Sequence, residues 1–182
     1  MSSTSAPFGL KPAFHPSGAV RPTAYSIVTG YATTIYQYQP VKLVDGQIEA
    51  AAVGDRFIGT FSGVEWTDSE GRRRVSNKWT ASTAGTDIVA YATLDPAIVY
   101  LIQSNATMTA ADIGAQYDLT AASGNTTTGL SSQMLDTASV ANNASLRVIG
   151  LEPGTNSAWG DTYVIVQVQI SEHQNVADVA DY

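Results

Sequence analysis

The two histidines are the residues of this chain best suited to acid–base or metal chemistry. His15 lies in a proline-rich segment, and His173 lies near the end of the sequence. Neither belongs to a metal-binding spacing such as H-x-H or H-E-x-x-H. The chain has no cysteine, which excludes a thiolate nucleophile and a cysteine-based metal site. The sequence therefore predicts neither a metal site nor a cofactor.

Serine and carboxylate chemistry finds equally little support in the spacing of residues. A Ser-His-Asp triad assembles in space, so chain order does not decide the matter, but no G-x-S-x-G motif occurs. Glu65 beside Trp66, and Asp68 with Glu70, are the most suggestive carboxylates for glycoside hydrolysis. The stretch WTDSEG is explained more simply as a turn. We expect no enzyme, with a β-fold hydrolase using Glu65 or Asp68 as an alternative.

One cluster of basic residues indicates a protein-contact patch. It comprises Arg72, Arg73, Arg74 and Lys78, next to Trp79. Arg and Trp are enriched at interface hot spots, which favours this interpretation over a nucleic-acid site, and a solvated hairpin tip is an equal alternative. The net charge of −7 argues against nucleic acid as a partner. A carbohydrate-binding module that stacks sugars on Trp66, Trp79 or Trp159 is a further alternative.

Residues 1–24 are predicted to form an extended, proline-rich arm outside the folded domain. Proline fixes its own φ, lacks an N–H donor and pushes the preceding residue toward extended geometry. Apolar side chains alternate with these prolines, so the segment offers apolar contact surface but has little capacity to fold alone. The predicted partner-binding residues of the arm are Phe8, Leu10, Pro12, Phe14 and His15.

Residues 25–173 are predicted to form a single all-β domain, either a compact barrel or a sandwich. Roughly nine to eleven short strands are expected, with at most one or two short helices. Asp45-Gly46 predicts a tight hairpin, Gly59 and Gly63 predict a bulge or close backbone approach, and Thr109 predicts a helix cap. Residues 120–145 are predicted to form a long polar loop with a brief strand, and residues 174–182 a loose acidic tail.

Membrane insertion and secretion are not predicted. No stretch approaches the ~18 apolar residues of a membrane span, and the first residues lack the basic and apolar regions of a secretory signal. Charged residues make up 14% of the chain, below the roughly 25% of an average soluble domain. A surface so poor in charge suits a protein that is packed against others.

Five segments follow one another along the chain: FGLKPAFHPSG, GYATTIYQYQPVKLVDGQIEAAAVGDRFIGTFSGVEWTDSEGRRRVSNKW, TDIVAYATLDPAIVYLIQ, GAQYDLTAASGNTTTGLSSQMLD and LRVIGLEPGTNSAWGDTYVIVQVQISEHQ. Together they resemble the capsid decoration (cement) proteins of tailed bacteriophages. The resemblance covers roughly residues 7–174 and lies in the overall arrangement of these segments.

This resemblance implies a non-enzymatic virion protein that binds the capsid exterior and bridges neighbouring subunits of the major capsid protein. It also implies self-association, and we expect a homotrimer synthesised in the host cytoplasm. No nucleic acid and no membrane are expected as partners. The arm would add a strand to a neighbour's sheet edge. Another virion module, either a head fibre base or a tail component, is the nearest alternative.

Overall fold

The computed structural model describes residues 4–154 and 157–176, and almost all of their regular structure is β. The described part contains a single short 3₁₀ helix, Ala110–Asp112. Its eleven strands are β1 (Lys11–Phe14), β2 (Pro22–Tyr25), β3 (Pro40–Val44), β4 (Gln47–Ala50), β5 (Gly59–Thr67), β6 (Arg73–Ser76), β7 (Thr86–Thr93), β8 (Val99–Gln103), β9 (Gln116–Tyr117), β10 (Leu146–Leu151) and β11 (Ile165–Ile170). The all-β prediction is confirmed.

The strands form two antiparallel sheets. The first sheet has the order β1-β8-β11-β10-β9. The second has the order β2-β7-β5-β3-β4, and β6 also pairs with β5. Neither order returns to its first strand, so the described strands do not close into a barrel. This architecture is compatible with the sandwich that the sequence allowed.

Local turn chemistry behaves as the sequence predicts. Asp45 and Gly46 have φ values of 50° and 79°, the pair of positive values that a type I′ hairpin between β3 and β4 requires. The β5–β7 pairing shifts register between Phe61 and Gly63, which is the predicted bulge. Thr109 precedes the 3₁₀ helix, and its amide donates to Asp112 Oδ2 at 2.7 Å.

Each sheet carries its own buried apolar cluster. Strand β11 and the residue before it show the period of two: Val164, Val166, Val168 and Ile170 are buried and pack in the cluster of the first sheet. The second cluster surrounds Trp79 and Phe61. Between the sheets, Thr93 Oγ1 of β7 lies 3.0 Å from the Tyr100 hydroxyl of β8. This buried polar contact links the two sheets.

The N-terminal segment is extended, but it is not separate from the domain. Strand β1 pairs with β8 at the edge of the first sheet, and β2 pairs with β7 at the edge of the second. The predicted boundary at residue 24 therefore falls inside a strand and is wrong. Pro12 and Pro22 fit here because an edge strand leaves one side of its backbone without a ladder partner.

Leu10 anchors this segment in the first apolar cluster. Its side chain is 0% exposed, and its amide donates to the Tyr38 carbonyl at 2.9 Å. Upstream, the Ala6 amide donates to Gln103 Oε1 at 2.8 Å. The prediction that Leu10 binds a partner is therefore wrong, because the chain's own core already buries it.

The predicted loop and tail differ in outcome. In place of the predicted brief strand, residues 120–145 contain isolated bridges such as Gln37–Leu130, which tie the loop to the domain. Gln174, the first residue of the predicted tail, hydrogen-bonds both backbone groups of Leu43. The tail residues 177–182 lie outside the described part of the chain.

Within the described part of the chain, no helix has the length and apolarity that crossing a membrane requires.

Candidate functional site

The predicted basic patch is a hairpin tip with balanced charge. Each of its three arginines pairs with an acid, at 2.7 Å for Arg72–Glu70, 3.2 Å for Arg73–Glu65 and 2.7 Å for Arg74–Asp68. The β5–β6 register places Arg73 opposite Thr67 and Arg74 opposite Trp66, so each of these arginines lies diagonally across from its acid, whereas Glu70 and Arg72 pair within the turn. The tip therefore presents alternating charges and not a positive field.

The two carboxylates weighed for hydrolysis are both held ionised. The Tyr91 hydroxyl, followed by Arg73, lowers the pKa of Glu65. The Arg72 amide, followed by the Arg74 side chain, lowers the pKa of Asp68. A glycosidase needs one carboxyl with a raised pKa to protonate the leaving group. Neither Glu65 nor Asp68 meets that requirement.

Trp79 does not belong to the surface patch, so its prediction as a contact residue is wrong. It is 0% exposed, and its ring meets that of Trp66 edge-on with centroids 6.0 Å apart. A buried indole offers no platform for a sugar. Its neighbour Lys78 donates from Nζ to the Thr126 carbonyl. Trp66 and Trp159 are themselves only half-buried.

Beside the hairpin tip, the second sheet presents an exposed apolar groove of about 380 Å³. We call it the outer groove; its lining includes Pro22, Gly63, Val75 and Tyr91. Val75 is 79% exposed and Tyr91 36%. Val75 lies on β6, which pairs only with β5 among the described strands. This surface is hard to predict from the sequence, because Val75 stands alone among polar residues in RRRVSN.

Among the remaining predicted arm residues, His15 alone lines a second cavity. Phe8 and Pro12 are half-buried, whereas Phe14 is 46% exposed. His15 Nε2 lies 3.2 Å from Asp95 Oδ2, and His15 Nδ1 lies 2.6 Å from Ser17 Oγ. We call the space of about 770 Å³ that these three polar residues help to line the N-terminal cavity.

The Ser17–His15–Asp95 chain has the order of contacts found in a catalytic triad. However, the Ser17 amide also donates to His15 Nδ1, at 3.0 Å. Contact between residues two apart is typical of a local turn, in which a side chain binds the backbone just ahead. A turn that fastens residues 15–18 to the β7–β8 connection therefore accounts for the arrangement.

The sequence pattern does not predict a buried, structural role for His173, because its neighbours Glu172 and Gln174 are polar. It is only 3% exposed, and its backbone bridges to Phe57. Its Nδ1 accepts from the Asn175 amide at 3.1 Å, while Nε2 has no hydrogen-bond partner among the described residues. Burial lowers the pKa of His173 below its ordinary 6.5.

Acid is therefore expected to destabilise the fold through His173. The unfolded chain takes up a proton near the ordinary value of 6.5, whereas the folded chain resists it. Stability is full above that value and falls as the pH drops toward the folded pKa, by at most about 1.4 kcal/mol per pH unit. Urea unfolding between about pH 7 and pH 5 should show this slope in the wild type.

The matched variants are His173→Gln and His15→Gln. The first should flatten the dependence of the unfolding free energy on pH, because no buried imidazole remains to be protonated. His15→Gln should retain this pH dependence, since His15 is only half-buried. An unchanged slope in His173→Gln would assign the acid sensitivity to another group.

The surface of the described residues is the main guide to the function of this protein. The described residues contain no cluster of His, Asp and Glu that could hold a metal ion. No protein-family model, curated protein or solved structure matches the chain. The fold and surface define a class, an all-β protein with two open antiparallel sheets and an apolar groove beside a free strand edge.

Proposed function

We propose that this chain is a non-enzymatic virion structural protein that binds the outside of a tailed-phage head and cements neighbouring subunits of the major capsid protein. The observation that carries the proposal is the outer groove at the free edge of β6, with Val75 79% exposed. The resemblance of the chain to capsid decoration proteins supplies the identity of the partner.

The outer groove has the composition of a protein-binding surface. Such surfaces combine an apolar centre, often aromatic, with a polar rim. Here Val75 and Tyr91 provide the centre, and the Arg73–Glu65 pair provides part of the rim. The free backbone edge of β6 also allows a strand of the partner to add to the second sheet. Attachment therefore needs no detached arm.

Self-association belongs to the same proposal. A decoration protein that forms a closed cyclic oligomer presents identical surfaces to equivalent capsid sites. Several modest contacts then combine into an attachment ~10²–10⁴ tighter than one contact alone. We expect a homotrimer, and a measured solution mass of three chains would support it.

Val75→Asp is expected to weaken binding to undecorated mature heads of the encoding phage by about tenfold or more. A carboxylate in the centre of an apolar contact loses hot-spot energy and adds a desolvation cost. Cosedimentation of the protein with heads measures the affinity. Val140→Asp is the matched control, since Val140 is also highly exposed, at 61%, but lies in a loop outside the groove.

The outcomes test the proposed function and the proposed attachment surface separately. If the wild type does not bind heads, the proposed function is wrong. If the wild type and Val75→Asp bind equally well, the function stands and the groove is not the attachment surface. Electron density on the tail instead of the shell would favour the tail-component alternative.

A further inference from the structure

A third cavity, of about 550 Å³, lies on the first sheet and shares no lining residue with the outer groove or the N-terminal cavity. Strand register places Arg147 of β10 opposite both Gln116 of β9 and Gln169 of β11, so these three side chains form a row across one face. Neighbouring strands are ~4.8 Å apart, which gives the row a span of ~10 Å. We call this space the amide cavity, since its lining includes Gln116, Asn142, Asn143 and Gln169.

Backbone contacts hold the walls of the amide cavity in place. Residues 142–143 line one side, and the loop that carries them is fixed where the Ala141 amide donates to the Gln116 carbonyl at 3.2 Å. The other side begins at Ser171, whose amide donates to the Ser145 carbonyl at 2.9 Å. The walls are therefore formed before any ligand arrives, which lowers the entropy cost of binding.

The side chains of the amide cavity have unused hydrogen-bonding capacity. Six of them make no hydrogen bond or ion pair with the described residues: Gln116, Asn142, Asn143, Arg147, Gln169 and Glu172. By contrast, Gln133 and Gln174 use their side-chain amides to bind backbone carbonyls of their own domain. The carboxamides of the cavity are thus not needed to hold the fold and are available to a ligand.

The charges of the amide cavity balance each other. Its charged lining residues, among those that the structure describes, are one cation, Arg147, and one anion, Glu172. His173 also lines it, but this residue is buried and burial lowers its pKa, so it is neutral at pH 7. An anionic ligand would meet Glu172 and a cationic one would meet Arg147. The cavity therefore favours an uncharged ligand.

The donors and acceptors of the amide cavity match those of a sugar. A carboxamide offers one acceptor and two donors, and a hydroxyl group both donates and accepts. Val176, at 48% exposed, adds an apolar contact for the C–H face of a ring. A peptide would need apolar pockets and a nucleobase an aromatic platform. Ile170, the other aliphatic lining residue, is only 7% exposed, and the lining contains no Trp, Tyr or Phe.

We propose that the amide cavity binds a neutral oligosaccharide, whose hydroxyl groups hydrogen-bond to the carboxamides of Gln116, Asn143 and Gln169. Its volume lies within the ~300–1,000 Å³ of typical ligand sites. None of the three tryptophans of the chain lines it, so recognition here rests on hydrogen bonds and not on ring stacking. The site goes beyond the proposed function and does not depend on attachment to a phage head.

An oligosaccharide array tests the class of ligand. Neutral oligomers of glucose, mannose, galactose and N-acetylglucosamine are printed beside sialylated and sulfated oligosaccharides and beside linear peptides. The wild-type chain should bind at least one neutral oligosaccharide. Binding to none of the neutral oligosaccharides, or binding only to the charged ones or only to peptides, would overturn the proposal.

Gln169→Ala tests the position of the site, with Gln167→Ala as its matched control. Gln167 is also half-buried and lies two residues away on the same face of β11, but it does not line the cavity. NMR titration with the strongest-binding neutral oligosaccharide measures the affinity. Gln169→Ala should bind about tenfold more weakly because its hydrogen bonds are lost, whereas Gln167→Ala should match the wild type.

Asn143→Ala is the second variant, since Asn143 is exposed in a loop and its substitution leaves the sheet unchanged. It should also weaken binding, and unfolding midpoints check that each variant is folded. Wild-type affinity in both Gln169→Ala and Asn143→Ala, or an equal loss in Gln167→Ala, would contradict a site in this cavity. Head binding is measured separately, so failure of the proposed function and failure of this inference are distinguishable.

Discussion

Leu10→Ala is expected to lower the free energy of unfolding by about 2–5 kcal/mol. Leu10 is 0% exposed and packs in the cluster of the first sheet, which includes Tyr100 and Phe57. Truncation removes the transfer free energy of the lost carbons and leaves a cavity that rigid β-strands fill only in part. Because small domains are stable by only ~5–15 kcal/mol, this is a large fraction of the total.

Urea unfolding followed by tryptophan fluorescence measures the change, since Trp79 reports from the other cluster. Phe14→Ala is the matched control, because it also truncates an apolar side chain of the N-terminal segment but one that is 46% exposed. We expect Phe14→Ala to cost less than about 1 kcal/mol. Equal and small effects of the two substitutions would show that residues 4–24 do not belong to the cooperative fold.

This prediction also changes how binding by the N-terminal segment should be tested. Deleting residues 2–24 would remove Leu10, all of β1 and most of β2, so lost binding could reflect lost structure. Substitutions of exposed residues, such as Arg21 in the N-terminal cavity or Val75 in the outer groove, leave the core intact. They therefore separate attachment from folding.

Features that depend on a few neighbouring residues were predictable from the sequence. The Asp45-Gly46 hairpin follows from the preference of these residues for positive φ, and the alternation in β11 follows from the period of a strand. Both are local, and both hold in the structure.

Features that depend on distant partners were not predictable in the same way. Leu10 is buried because its backbone bonds to Tyr38 and its side chain enters a cluster built from later strands. Proline density in its surroundings predicted an unpaired arm, yet edge strands accept proline. The tertiary contact decided the outcome, and no local pattern encodes it.

The candidate site also depends on contacts between residues that are distant in the sequence. Arg72, Arg73 and Arg74 look like a positive patch in the sequence, but the β5–β6 hairpin and its turn supply an acid to each. Trp79 stands between polar residues, yet its backbone pairs with Ile35 and its ring is buried. The outer groove is lined by residues of β2, β5, β6 and β7, so it forms no motif along the chain.

Gly59 on β5 lies very close to Thr93 on β7 of the same sheet. Its φ is 153°, and a Cβ atom there would lie 2.1 Å from the Thr93 carbonyl oxygen and 2.6 Å from Thr93 Oγ1. The same Oγ1 accepts the Thr60 amide at 2.8 Å and lies 3.0 Å from the Tyr100 hydroxyl. All these groups are buried, and burial raises the pKa of Tyr100, which keeps its hydroxyl protonated. Movement of Thr93 would therefore disrupt the polar link between the sheets.

Gly59→Ala is expected to destabilise the fold by about 4 kcal/mol or more. Backbone strain at this φ, overpacking against a carbonyl and loss of buried hydrogen bonds each contribute roughly 1–3 kcal/mol. Soluble yield and urea unfolding measure the effect. Gly54→Ala is the matched control: Gly54 also has a positive φ, 79°, but nothing lies within 4 Å of its added Cβ. Its cost should be only about 1–2 kcal/mol, from backbone strain alone. Equal costs for the two variants would mean that Thr93 yields easily and that the sheets are not locked at this point.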